Sequence, residues 1–218
     1  MTISLRTALT LAAPLALALG ATPMIAQAPA IPGQPDKARV TAGTYTADPN
    51  HSLVGWTVNH LGFNDYLGLF GNVSGTLVLD PANPAAAKVS VTIPVKSVLT
   101  ASAGLNGHLL RPGAEGKKPD FFGPAPADAT FVSTAVTPGA DGTSASIAGN
   151  LTLNGVTKPV TIAAKFVGAG KNMMSGKTTV GFGGTATIKR SDFGVNGALP
   201  VVSDDVQLNI TIAFEKSA

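Results

Sequence analysis

The chain has 218 residues, 44% of them hydrophobic and 12% charged, with a formal net charge of +3 at neutral pH. Cysteine is absent, which excludes disulfides and thiolate metal sites as sources of stability. The 15 Lys and Arg residues are scattered and not interleaved with aromatic rings, so the pattern of a nucleic-acid groove is missing and no nucleic-acid partner is expected.

Residues 1–28 read as a secretory signal peptide. Arg6 supplies the positive charge, and the apolar stretch from Leu9 to Gly20 is too short for a membrane anchor. Small residues at Ala18-Leu19-Gly20 and at Ala26-Gln27-Ala28 offer two cleavage points. The expected destination is the periplasm or the outside of the cell. Residues 29–42 contain three prolines and no apolar periodicity, the composition of a linker. Residues 43–218 are then one domain, large enough for a sizeable core.

Within that domain apolar residues recur with the two-residue period of strands that bury one face. After a short strand near Tyr45, Val54, Trp56, Val58 and His60 share a face, then Val73, Gly75, Leu77 and Leu79, then Val89, Val91, Ile93 and Val95. The alternation lapses over residues 97–125. There Ala101, Leu105 and Leu109 recur at four-residue spacing, which predicts a short helix weakened by Gly104 and Gly107. A Gly/Pro/Lys-rich loop over residues 111–118 follows, and then the paired rings of Asp120-Phe121-Phe122. Helix, loop and rings are expected to form a lid.

Alternation resumes at Phe131 and continues through Ile147 and Leu151, through Val160, Ile162, Ala164 and Phe166, and through Val180, Phe182 and Ile188. Asn154-Gly155 predicts a type I′ hairpin turn, because both positions accept positive φ. The last segment, Val206, Leu208, Ile210, Ile212 and Phe214, alternates most cleanly and is expected to close the sheet. About eight or nine strands result. A sheet of that size tends to close, giving an all-β antiparallel barrel of about eight strands with room for side chains and one ligand.

Several motifs, in this order, resemble the YceI-like family. They are Asp48-Pro49-Asn50-His51-Ser52 with Trp56, Val58, His60, Leu61 and Gly62; Gly68 and Phe70; Ser97, Val98 and Thr100; His108-Leu109; and Asp120-Phe121-Phe122. Phe131, Ser133 and Thr134 follow, then the run from Gly149 to Val160, then Arg190-Ser191-Asp192-Phe193-Gly194-Val195. The resemblance implies an exported lipocalin-like barrel that binds a polyisoprenoid, and it turns the interior from a packed core into a cavity. The ligand-binding residues expected on this basis are Trp56, Val58, His60, Phe63, Phe70, Leu105, His108, Leu109, Phe121, Phe122, Phe131, Phe182 and Phe193. The lid departs from the family pattern at Leu105-Asn106-Gly107 and in a longer path to the Phe pair.

Enzyme chemistry is not expected. His51, His60 and His108 have no ligand spacing, so neither metal nor cofactor is implied beyond the lipid itself. Ser52 beside His51 lacks a nucleophile elbow, and adjacent strand residues point to opposite faces. Asp192 beside Arg190 reads as a rim ion pair. The glycines at 168, 170, 181, 183 and 184 read as relief of crowding in curved strands. Two rival readings stay open, an outer-membrane barrel and an enzyme acting on an isoprenoid. The chain end and the scarcity of Trp and Tyr argue against the first. Contact with a membrane surface through Lys117, Lys118, Lys171 and Lys177 is left open, as is the oligomeric state, a homodimer included.

Overall fold

Alternating strands with few charges have one economical way to hide both their apolar face and their edges, which is to close on themselves. The computed structural model, which describes residues 30–217, does this with ten strand segments and one helix. The signal peptide expected at residues 1–28 lies outside the described residues.

The segments are β1 (Gly43–Ala47), β2 (Leu53–His60), β3 (Asn64–Phe70), β4 (Ser74–Leu79) and β5 (Lys88–Ile93), then helix α1 (Ala103–Leu110). They continue with β6 (Ala129–Pro138), β7 (Ser144–Leu153), β8 (Val156–Lys171), β9 (Thr178–Lys189) and β10 (Asp205–Lys216). All pairings are antiparallel.

Ten segments make eight staves. β10 pairs with β1 near its end, Tyr45 opposite Lys216, and with β2 near its start, Trp56 opposite Leu208. β1 and β2 are therefore two halves of one stave, interrupted at Asp48-Pro49-Asn50. Likewise β4 pairs with β1 while β3 pairs with β2, so β3 and β4 form a second broken stave. The break falls at Gly71-Asn72, where Asn72 has φ +56. From β4 the ring runs through β5, β6, β7, β8, β9 and β10 back to β1 and β2. The expected closing role of the last strand is thus met, and the expected turn at Asn154-Gly155 has both φ values positive, +52 and +75.

The registers place the β2–β3 turn, the segment holding α1, the β7–β8 turn and residues 190–204 at one end of the barrel. The other end carries the β8–β9 turn and residues 31–42. A cluster of Tyr45, Leu77, Ala169, Val180 and Phe214, with Phe166 and Phe182 packed on it, plugs that far end.

The compact unit begins at Ile31 and not at 43. Part of the expected linker lies on the barrel: Gln34 exchanges two backbone hydrogen bonds with Ala169, at 3.0 and 2.8 Å, and Val40 packs against the far-end plug. Gly170 makes this possible, since a Cβ there would stand 1.9 Å from the Pro32 carbonyl oxygen. For Gly168 and Gly170 the reading as relief of strand crowding is replaced by close approach of this N-terminal segment.

Candidate functional site

Between the far-end plug and the helix lies a cavity of about 670 Å³, lined by side chains from every stave, from α1 and from residues 190–206. That volume falls in the range of about 300–1,000 Å³ usual for small-molecule sites. Strand parity builds it. Trp56 and Val58 on β2, Val89 and Val91 on β5, and Ile210 and Ile212 on β10 sit two residues apart, Ile147 and Leu151 on β7 four apart, and all face inward.

The structure brings ten of the thirteen expected residues to this cavity: Trp56, Val58, His60, Phe70, Leu105, His108, Leu109, Phe121, Phe122 and Phe131. Three lie elsewhere. Phe63 is 85% exposed in the turn between β2 and β3. Phe182 belongs to the far-end plug, edge-on to Phe166 at 5.9 Å and to Phe214 at 6.5 Å. Phe193 does not line the cavity; it is buried in a cluster with Phe131, Leu151, Ile188 and Val206. Sequence parity gave the face of Phe182 correctly but not its depth along the barrel.

The lid is assembled from three pieces. α1 starts at Ser102, whose hydroxyl accepts the Leu105 N–H, as a helix N-cap requires. Asn106 holds the approach to the helix, its Oδ1 accepting the Thr100 N–H at 2.7 Å and the Thr100 hydroxyl at 2.8 Å. Leu69 and Leu99 exchange two backbone hydrogen bonds, each 2.9 Å, which ties this segment to the free edge of β3. The Phe122 N–H then donates to the Leu109 carbonyl at 3.1 Å, and the Phe122 ring meets Phe70 edge-on. The expected lid of helix, loop and ring pair matches this arrangement.

Asn64, Tyr66, Thr100 and Arg190 are polar cavity residues that sequence reasoning missed, and Arg190 is the most deeply buried of them. It is 5% exposed and lines the cavity. Its Nε donates to the Ser203 carbonyl, Nη1 to Val195 and Gly197, and Nη2 to Val202, at 2.7–2.9 Å. Its guanidinium also stands 6.0 Å from the Phe121 ring, whose other neighbour is the His108 imidazole at 5.3 Å. Burial lowers the Arg190 pKa, and the nearby Asp204 charge opposes that shift. The rim pair expected with Asp192 is therefore not formed, because the guanidinium points inward to backbone carbonyls; the ion pair at this rim joins Lys189 to Asp205 at 3.0 Å. Asp204 instead accepts from the Ser191 N–H and hydroxyl, and these hold its carboxyl below the usual range.

The histidines do not converge. His51 pairs with Asp48 at 2.6 Å, His60 stands at the cavity mouth, and His108 lies against Phe121. Ser52 is buried and exchanges hydrogen bonds with the backbone of Ala213, not with His51. Among the described residues no three His, Asp or Glu side chains are placed to hold a metal ion. Trp56 Nε1 is a buried donor without a partner among the described residues. Its ring lies against Gly68, where a Cβ would come within 2.1 Å of the indole.

The sequence matches the model of the YceI-like domain over residues 45–214. The chain belongs to the YceI-like family. It is 41% identical over 174 residues to a UPF0312 protein of Ectopseudomonas mendocina, a match that covers 78% of this chain and 86% of that protein. The solved structure of BcnA from Burkholderia cenocepacia is similar with a TM-score of 0.63 at 29% identity, over 77% of this chain and 98% of that one. A polyisoprenoid binding domain from Saccharophagus degradans has a TM-score of 0.52 at 16% identity, over 79% of this chain and 98% of that one. At that identity the last comparison shows the shared fold alone. In this YceI-like chain the matched region takes in the whole ring of staves and the lid.

Proposed function

We propose that this YceI-like protein is an exported, periplasmic or secreted, carrier that holds a long apolar isoprenoid lipid inside its barrel and performs no covalent chemistry on it. The observation that carries the reading is the cavity, about 670 Å³ and walled mainly by Val, Ile, Leu and Phe side chains. Each buried methylene of a ligand contributes about 0.8 kcal/mol, so a prenyl chain gains a large gross driving force without a charged anchor. The polyisoprenoid binding described for the Saccharophagus degradans domain is in keeping with that lining.

The polarity of the wall supports a water-facing barrel over an outer-membrane one. Along β10 the inward Val206, Leu208 and Ile210 alternate with outward Gln207, Asn209 and Thr211, and Lys88 and Lys165 stand on the outside of other staves. A membrane-spanning barrel has the opposite arrangement, apolar outside and polar within.

The test is mass spectrometry of an organic extract from protein purified without detergent from its native host, against an equal sample denatured and washed beforehand. A stoichiometric prenyl lipid released only by denaturation is the expected result. An empty extract, together with failure of added prenols to bind, would remove the carrier reading.

A further inference from the structure

The turn between β2 and β3 is built unlike one that only reverses the chain. The Phe63 N–H donates to the His60 carbonyl at 3.0 Å, and both central residues have positive φ, +58 at Leu61 and +74 at Gly62. Asn or Asp followed by Gly fits such a turn, whereas a leucine at positive φ is strained. Strain of this kind collects at sites of contact. Leu61 gains no core burial in return, being 45% exposed, and Phe63 is 85% exposed.

The tip is braced. The Leu61 N–H donates to the Val201 carbonyl, the Ser203 N–H to the Asn59 carbonyl, the Asn59 N–H to Ser203 Oγ and the Gly62 N–H to Asn59 Oδ1, each at 2.9 Å. These bonds tie the turn to residues 198–203, where Val201 is 55% exposed. Leu61 and Val201 line one shallow hollow, and Phe63 stands two residues on in the same turn. Both segments have their flanks in the cavity mouth, His60 and Asn64 on one, Ala198 and Val202 on the other. Neither residues 60–64 nor residues 198–202 contain a Lys, Arg, Asp or Glu. The charges that follow them in the chain are acidic, Asp65, Asp204 and Asp205, the last paired with Lys189.

We infer, on the lipid-carrier reading, that Leu61, Phe63 and Val201 form a rigid docking tip that enters the surface of a zwitterionic bilayer and sets the cavity mouth against it. An apolar tip free of charge strips no ion of its hydration on entering the hydrocarbon boundary, and its side chains leave water there. The acidic residues behind it repel an anionic surface and meet the ammonium groups of zwitterionic headgroups favourably. A lipid then crosses from bilayer to mouth without passing through water.

The experiment measures flotation of the purified protein with vesicles of phosphatidylcholine and phosphatidylethanolamine, with and without phosphatidylglycerol. The wild type is expected to bind the zwitterionic vesicles, to gain nothing from phosphatidylglycerol, and to change by less than about twofold between about 0.1 M and about 1 M salt. Phe63→Asn is expected to weaken partitioning about tenfold or more. Leu61→Asn supplies the residue that the turn favours, so partitioning should weaken about threefold or more while Tm stays level or rises. Both variants are expected to bind geranylgeraniol as the wild type does, read from the fluorescence of Trp56, the single tryptophan, because neither Leu61 nor Phe63 lines the cavity. Binding that requires phosphatidylglycerol and disappears in salt, or that survives in both variants, overturns the docking tip. So does a dimer without vesicle affinity that Phe63→Asn dissociates in sedimentation velocity, which would make the tip a contact between copies. Absence of vesicle binding with geranylgeraniol still bound overturns the tip and leaves the carrier reading standing, whereas absence of geranylgeraniol binding removes that reading and this role with it.

Discussion

Arg190 shows how a single residue can be misread when only its neighbours in sequence are visible. Beside Asp192 it resembles half of a surface ion pair, yet its partners are carbonyls of residues 195–203, and a carbonyl carries no mark in the sequence. Removing it leaves four acceptors unpaired beside an apolar cavity. Arg190→Met is accordingly expected to cost about 3–5 kcal/mol, since it removes the one donor group shared by four buried or half-buried carbonyls. Asp192→Asn, in contrast, is expected to change stability by less than about 0.5 kcal/mol. Urea melts of both variants check the pair, and equal effects would return Arg190 to the rim.

Asp204 adds a pH dependence to the same corner. The Ser191 N–H and hydroxyl depress its folded pKa below the ordinary carboxylate value, so the unfolded chain binds its proton more readily. Its contribution is then fully present above the unfolded value near about pH 4 and is lost as pH falls through the lower folded value. Thermal melts of the wild type and Asp204→Asn are expected to differ by a constant gap down to about pH 5 and to converge progressively as pH falls below the ordinary carboxylate value. A gap independent of pH would show that the carboxylate charge plays no part.

At the scale of elements, the helix of the lid has the least of its own to hold it. α1 has eight residues, two of them glycine, and no residue of it is fully buried. So short a helix does not persist by propensity alone and relies on Ser102, Asn106 and the Leu69–Leu99 pair. A Cβ on Gly107 would meet nothing within 4 Å. Gly107→Ala is thus expected to stabilise the helix by about 0.5–1 kcal/mol. Hydrogen exchange of the α1 amides should slow by about two- to fivefold, and ligand release should slow with it if the helix must open. Unchanged exchange would mean that α1 is held by its neighbours and not by its own turn. The helix was legible because the alternation lapses over residues 97–125 and Ala101, Leu105 and Leu109 recur there every four residues. The divided staves were not: nothing in the alternation says that β1 and β2 share one stave, since that follows from β10 pairing with both.

For the whole molecule, the closed all-β barrel and its inward faces follow from alternation, because the inward Val206, Leu208 and Ile210 of β10 are each flanked by polar residues and a slip of one residue would bury Gln207 and Asn209. Alternation carries no information on whether the enclosed space is packed or hollow. Phe131 and Phe182 both face inward, yet one lines the cavity and the other closes its floor. The distinction is volumetric, and it depends on small residues facing one another across the wall. Ala164 sits opposite Gly184 in the register between β8 and β9, and both line the cavity. That pair allows a direct test of the hollow interior. In a packed core Ala164→Phe would force neighbours off their rotamers and cost about 1–3 kcal/mol. In a cavity of about 670 Å³ the new ring has space to occupy, buries its own apolar surface and displaces the ligand. The expected outcome is a variant at least as stable as the wild type when both are free of lipid, but no longer stabilised by added geranylgeraniol. The wild type at about one hundred times Kd should gain about 2.7 kcal/mol, a rise in Tm of about 5–10 °C. Loss of stability on Ala164→Phe would instead place a filled core where the carrier reading requires a vacancy.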